Sequence, residues 1–488
     1  MPIAPKLTAE RAAANMGDLD PPYSAQEARV EADRCLFCFD APCINSCPTG
    51  IDIPGFIKKI SSDNLLGSAR TIFEANPLGA SCARVCPTEV LCEGACVLMD
   101  RDQQPIKIGR LQRYATDFVL DGGTRVLKAP AEKSGKRIAL IGGGPASLSC
   151  AAELAQLGHA AVIFEKQEHP GGLNTYGIAY YKLTPETSLR EIDMIRELGV
   201  EFRTNVEVGR DVDPVELQRE YDAVFIGVGL GNTYRLSIPG EDLPEVKEAL
   251  AFIAEIHTQP LHTVPVGGCV AVIGCGNTAI DAVTQAKRLG ASSAVIVYRR
   301  GKSDMPAYEY EYDLAKLDGC EFMFHTRPVE ILEKDGHVAG VKLVRTRIGE
   351  SGKLEDVPGS GFVHPFDMVI KALGQEKMRG RIQALFPELK LESDGTIQRD
   401  FATGRTSVDG VFAGGDGANG GSEVVDAVAE GKRAARGIHA LFTGVRIEGP
   451  CQSTRLGAPG KPTGAGFDSP VRIPELEREY FESEGIHG

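Results

Sequence analysis

The order of apolar and polar positions divides the chain into stretches of different period. IDIPGFIKKISSDNLLGSARTIFEANPLG, from Ile51, carries apolar residues at helical spacing with polar breaks, which predicts two packed helices. From Lys136 to Lys166 the pattern changes. Arg137 to Ile141 is a short apolar run, a glycine turn and a helix follow, and a second apolar run ends in Glu165. The pattern returns in CVAVIGCGNTAIDAVTQAKRLGASSAVIVYRR, which begins at Cys269, with one residue inserted before the last strand. VFAGGDGANGGSEVVDAVAEGKRAA, from Val411 to Ala435, is again strand, turn and helix. No apolar run approaches the about 18 to 20 residues that span a bilayer. The stretch 446–488 is rich in Gly and Pro and predicts an extended tail, either a docking arm or a loosely attached terminus.

Each part of the Lys136–Lys166 stretch has a chemical use. Gly142 and Gly144 let the backbone turn sharply and approach a pyrophosphate with no side chain in the way. The helix, opening at Pro145, Ala146 and Ser147, aims its first N–H groups at that phosphate, and Ser147 is small enough for close helix–strand packing. Glu165, followed by Lys166, ends the second strand, where a carboxylate accepts the hydroxyls of an adenosine ribose. This is a dinucleotide-binding βαβ unit; the plain alternative is a glycine-rich turn in some other α/β protein. In the repeat, Gly274 and Gly276 replace Gly142 and Gly144, Asn277 and Thr278 open the helix, and Ala279 is the small residue. Two dinucleotides are therefore expected. The position of Glu165 is taken by Tyr298, followed by Arg299 and Arg300. Loss of the acid with gain of guanidinium suits a 2′-phosphate and so NADPH, unless these arginines bind the pyrophosphate or lie in solvent.

A chain of 488 residues suggests about three domains, and 42% hydrophobic with 25% charged residues is a globular composition. The net charge of −14 argues against nucleic acid and anionic membrane as partners. The first residues, MPIAPKLTAERAAANMG, lack the apolar core of a signal peptide, so a cytoplasmic location is expected, where thiols stay reduced. Eight of the 13 cysteines then gain meaning. They fall between residues 35 and 96 with the spacings CxxCxxxxCxxxCP and CxxxCPxxxxCxxxC. Such runs supply thiolates to iron–sulfur clusters, and spacing alone counts two sets of four. Zinc is the main competitor, although its sites usually show two close ligand pairs.

The stretches CLFCFDAPCINSCPTGIDIPGFI, NPLGASCARVCPTEVLCEGAC and PIKIGRLQ resemble the N-terminal domain of dihydropyrimidine dehydrogenases and, more distantly, of glutamate synthase small subunits. The resemblance covers about residues 25 to 445. It implies one 4Fe-4S cluster on Cys35, Cys38, Cys43 and Cys96 and a second on Cys47, Cys86, Cys92 and Gln112, with Cys82 left over as a packed thiol. A neutral amide in place of a thiolate should raise the potential of the second cluster. The resemblance also implies that Asp416, after Gly415, meets the ribityl chain of FAD; a plain helix cap is the alternative. PGGLNTYGIAYYKL matches a loop beside the flavin ring and implicates Leu173 and Lys182. FIGVGLG and ALGQ, ending at Gly231 and Gln375, look like crossings between two domains, and Ala372 and Gly374 of the second join the NAD(P)H residues. NADPH-using relatives carry a further arginine where Pro306 stands, and bacterial two-subunit relatives use NADH, which tips the expectation slightly to NADH.

The expected fold is α/β: two Rossmann-like dinucleotide-binding domains, the NAD(P)H domain inserted in the FAD domain, preceded by an α-helical iron–sulfur domain. The expected limits are 1–128 for the helical domain, 129–248 and 377–445 for the FAD domain, 249–376 for the NAD(P)H domain and 446–488 for the tail. No redox cysteine pair is visible: Cys150 stands alone, Cys269 and Cys275 flank a strand, and Cys320 is isolated. Nor does the chain hold the barrel that reduces the pyrimidine in single-chain relatives. The resemblance thus implies the electron-input subunit of a two-subunit dihydropyrimidine dehydrogenase. Hydride passes from NAD(P)H to FAD and single electrons pass through the clusters to an FMN- and iron–sulfur-containing catalytic subunit, in a heterotetramer. The alternatives are a glutamate synthase small subunit and, from another class, a zinc-stabilised nucleotide sensor.

Overall fold

The computed structural model describes residues 6–101, 103–447 and 449, so the tail expected over 446–488 lies almost wholly outside the described residues. Two five-stranded parallel sheets carry the nucleotide motifs. In the first, Arg137–Ile141 lies between Ala160–Glu165 and Ala223–Ile226, with Glu201–Thr204 and Val411–Ala413 at the edges. The second runs Val246–Glu248, Met368–Lys371, Cys269–Ile273, Ser293–Val297 and Glu321–Met323. Its strands fall between Ala223–Ile226 and Val411–Ala413 in sequence, so the NAD(P)H domain is inserted in the FAD domain. The central strands read as unbroken apolar runs because helices or a further sheet cover both faces: Ile138, Ala139 and Leu140 are all fully buried.

The insertion begins earlier than the expected residue 249, because Val246–Glu248 pairs with Met368–Lys371 inside the second sheet. The two crossings run side by side: Gly231 N donates to Glu376 O at 2.8 Å, and Glu376 N to Asn232 O at 2.8 Å. An antiparallel layer, Thr326–Lys334 and His337–Ile348 with two short strands, covers one face of the second sheet. Its hairpin turns at Asp335–Gly336, both at positive φ (57° and 82°), the geometry an Asp-Gly pair adopts readily.

The helices Ile53–Ser61 and Leu65–Ala75 pack as their spacing predicts. Asp52 and Asn64 cap them, accepting from Gly55 N at 3.0 Å and Gly67 N at 2.9 Å. Phe56, Ile57 and Ile72 share a core with Leu111 and Ala115 of the helix Ile108–Asp121. The first helix, Ala9–Asn15, is not part of this domain. Asn15 Nδ2 donates to Arg288 O at 2.8 Å and Met16 enters the core of the second sheet, so the stretch 1–128 is divided between two bodies. Glu191, of the FAD domain, clasps the cysteine domain. Its buried carboxylate accepts from Ala80 N at 2.6 Å, Ser81 N at 3.1 Å and Ser81 Oγ at 2.5 Å. Burial outweighs these bonds and raises its pKa to about 7.

Candidate cofactor sites

A cleft of about 620 Å³ follows the C-terminal ends of the first sheet's strands, where α/β sheets bind nucleotides. Gly142 has φ +91°, and a Cβ there would lie 2.6 Å from Gly227 O, so glycine is required. A Cβ on Gly144 would meet nothing within 4 Å, which leaves the backbone open to a ligand before the helix Pro145–Gln156. Glu165 is fixed at both oxygens: Gly143 N donates to one at 2.6 Å and Gln167 N to the other at 2.7 Å. Two backbone bonds leave about half of a carboxylate's acceptor sites free for ribose hydroxyls. Pro145, Ala146, Lys166, Leu173 and Gly415 also line the cleft. Asp416 lines it from the start of the short helix Asp416–Asn419, not as cap of the long helix Val424–Thr443, and burial pushes its carboxyl up to about 6.

Two expectations for this cleft change. Lys182 does not line it; its ammonium is buried between Asp281 at 2.6 Å and Glu311 at 2.5 Å, across the boundary between the two nucleotide domains. Ser147 lies beneath the cleft: a Cβ on Gly227 would come within 2.3 Å of its Oγ, the close helix–strand contact its size allows. Sequence reasoning missed Asn174. It lines the cleft, is 1% exposed, and neither polar atom of its side chain has a protein partner. An unsatisfied buried amide facing a cleft is a place for a ligand's polar edge. The donor and acceptor set fits FAD.

The second glycine turn repeats the first. Gly274 has φ +128°, and a Cβ there would lie 2.1 Å from the carbonyl oxygen of Ala372, while Gly374 follows at φ +85°. Gly276 precedes the helix Asn277–Arg288, on which Thr278 is exposed. Asn277 accepts from Tyr308 N at 3.2 Å through Oδ1, which leaves its amide nitrogen and its helix-terminal N–H as donors. Pro306 stands over this turn, 3.9 Å from where a Gly276 Cβ would lie. Arg299 and Arg300 are exposed, and the Tyr298 hydroxyl is tied to Asp304 O at 2.7 Å.

The cysteines separate into two cavities. Cys35, Cys38, Cys43 and Cys96 line the outer one; Cys47, Cys86, Cys92 and Gln112 line the inner one, together with Cys82. Among the described residues, no three His, Cys, Asp or Glu side chains close on one point as a single ion requires. Sulfurs ringing a space suit a multi-iron group better than zinc. Gln112 is held by its amide nitrogen, which donates to Gly79 O at 2.7 Å. Glu93 accepts from Gly109 N at 3.0 Å and so ties the Cys92 loop to the helix bearing Gln112. Asn76 Nδ2 lines the inner cavity, fully buried and without a partner, while its Oδ1 accepts from Leu78 N at 2.9 Å. Burial holds the Cys92 and Cys43 thiols well above their usual range, so their thiolates form when a metal replaces the proton. The two kinds of site share a wall: Val424 lines the flavin cleft and Val425 lines the inner cysteine cavity.

Residues 12–124 match the family described as dihydropyrimidine dehydrogenase domain II, 4Fe-4S cluster, and residues 136–431 match pyridine nucleotide-disulphide oxidoreductase. The glutamate synthase [NADPH] small chain of Escherichia coli K12 is 36% identical over 436 residues, which span 86% of this chain and 92% of that one. The chain belongs to the glutamate synthase small-chain family. The corresponding small chain of Halomonas elongata is also 36% identical, over 448 residues, 89% of this chain and 94% of that one. The putative oxidoreductase AegA of E. coli K12 is 35% identical over 89% of this chain and 68% of its own length. Mycobacterium tuberculosis FprA in complex with NADPH superposes with a TM-score of 0.52 at 22% identity, over 65% of this chain and 88% of that one, which shows the fold alone.

As members of this family do, the chain transfers electrons from NAD(P)H and uses FAD and 4Fe-4S iron–sulfur clusters. The family model described for a pyrimidine enzyme spans residues 12–124, whereas glutamate synthase small chains match along 86% and 89% of this chain; the order of the two resemblances is therefore reversed. Despite the family's disulphide name, Cys150, Cys275 and Cys320 are buried packing residues, and burial pushes the thiols of the last two up to about 12. Among the described residues, no helix is long and apolar enough to cross a membrane.

Proposed function

We propose that the chain is the electron-input subunit of a glutamate synthase. The observation that carries this reading is identity above one third along nearly the full length of glutamate synthase small chains, through all three domains. FAD held in the first cleft would supply a hydride acceptor for a nicotinamide, and iron–sulfur groups in the cysteine cavities would supply single-electron carriers. The protein's part is placement. Glu165, Asn174 and Asp416 orient the flavin nucleotide, and the inner cysteine ring lies behind the flavin wall at Val425. The outer ring is the exit side, where Leu36 and Phe39 flank Cys38 with 51% and 100% exposure, apolar surface for a large chain to cover. For the nicotinamide we read NADPH, since Arg299 and Arg300 are exposed at a strand end where Tyr298 replaces the acid of the first unit, which suits a 2′-phosphate. The slight tilt to NADH is given up, because the small-chain relatives carry NADPH in their names.

The second reading, input to a dihydropyrimidine dehydrogenase, is favoured by the match over residues 12–124. The experiment is to purify the chain with each kind of large chain and measure NADPH-dependent formation of glutamate and reduction of uracil. Glutamate formation with the first partner supports the main reading. Uracil reduction with the second, and no glutamate with the first, replaces it.

A further inference from the structure

Four cysteines and Gln112 line the inner cavity, against four cysteines in the outer one. A 4Fe-4S group has four iron corners to ligate, so one donor is surplus. The resemblance assigns the fourth corner to Gln112 and leaves Cys82 as packing. The structure places Cys82 otherwise. It is 3% exposed, lines the same cavity, and stands one helical turn before Cys86, whose N–H donates to Cys82 O at 3.0 Å. The two contenders hang on one helix, Gly79–Val85: Gln112 is fastened to its first carbonyl, and Cys82 projects from its fourth residue. The unpartnered, fully buried Asn76 Nδ2 independently marks the cavity as a place where an acceptor binds.

We propose that Cys82 is an alternative ligand for the inner cluster, taking the fourth corner when Gln112 releases it. This rests on the two-cluster reading. The exchange breaks the bond from iron to Gln112 Oε1 and forms one to Cys82 Sγ. The thiol proton leaves to solvent and no electron moves. A thiolate is the softer donor and iron favours it, so the released corner is refilled rather than lost. The site gains one negative charge, which lowers its potential. One cavity thus offers two ligation states of different potential.

The test uses the full chain, anaerobically reconstituted, with iron per FAD and the EPR spectrum of the reduced protein as readouts. Gln112→Ala is expected to keep the wild-type iron content, with a changed cluster signal and a lowered potential for one cluster. Gln112→Ala combined with Cys82→Ala is expected to lose half the iron. FAD content reports folding of each variant, and Gln112→Asn, which withdraws the oxygen but keeps the amide, serves if Gln112→Ala does not fold. Equal iron loss in Gln112→Ala with and without Cys82 overturns the proposal, as does equal retention. A wild-type chain that takes up zinc in place of iron overturns the cluster reading beneath it as well.

Discussion

The Glu165 carboxylate accepts the Gly143 N–H at 2.6 Å, tying the end of one strand to the glycine turn of its neighbour. Glu165 also lines the flavin cleft, so the carboxylate that shapes the turn is placed to meet the nucleotide. Glu165→Ala removes a charged acceptor from both, with an expected loss of about 2 kcal/mol in FAD binding, roughly thirtyfold in Kd. Flavin fluorescence titration measures it, and an unchanged Kd removes Glu165 from the site.

Lys182 places its ammonium between two buried carboxylates, Asp281 and Glu311. Lys182→Met leaves them facing each other without it, at an expected cost of about 3–5 kcal/mol in stability, seen as a lower Tm. The flavin complement of the folded fraction stays full, since Lys182 does not line the cleft. Glu311→Gln is expected to be milder. Burial already raises the Glu311 carboxyl toward its neutral form, and its Oε2 has no partner.

Glu191 gives a pH signature. Its carboxyl is raised from about 4.5 to about 7 on folding, so the native chain holds the proton that the unfolded chain has released. Its contribution to stability is fully present below about pH 4.5 and falls as pH rises to about 7, on the order of 3 kcal/mol in all. Glu191→Gln, which cannot ionise, is expected to flatten that slope in denaturant titrations across the window. A slope identical to wild type shows that Glu191 is not its source.

Arg299 and Arg300 follow the second strand of the second nucleotide unit, Ser293–Val297, and are exposed. Their joint replacement by alanine is expected to raise KM for NADPH about tenfold or more, as charge-assisted contacts to a phosphate are lost, while NADH kinetics barely change. Equal effects on both nucleotides assign the arginines to the pyrophosphate instead.

The two βαβ units were legible because a strand buried on both faces leaves a continuous apolar run, and a glycine turn leaves its spacing. The cysteines were legible as a metal-binding run because they cluster in sequence, but their division was not: Cys96 lines the cavity of the first arm and Cys47 that of the second, which spacing alone does not show. What escaped depended on distant partners. Lys182 was read as a flavin contact because its neighbours in the loop pointed there, while Asp281 and Glu311, which hold it, stand 99 and 129 residues away. The helix Ala9–Asn15 was grouped with the cysteines beside it, but its anchor is Arg288. Asn174 carried no periodic signal at all, being one polar residue in a short helix. The hairpin at Asp335–Gly336 did carry one, an Asp-Gly pair between alternating strands, and went unread. The choice of large chain is a matter of exposed surface, which short motifs in the cysteine domain do not encode.

Val424 and Val425 make one turn of helix the party wall of two rooms. The donors of the inner cavity belong to the cysteine domain and this helix to the FAD domain, so the spacing of the two rooms is set by how those two domains are clasped, at Glu191 with Ala80 and Ser81. Motion of the inserted domain leaves that spacing alone, whereas loosening the Glu191 clasp changes it.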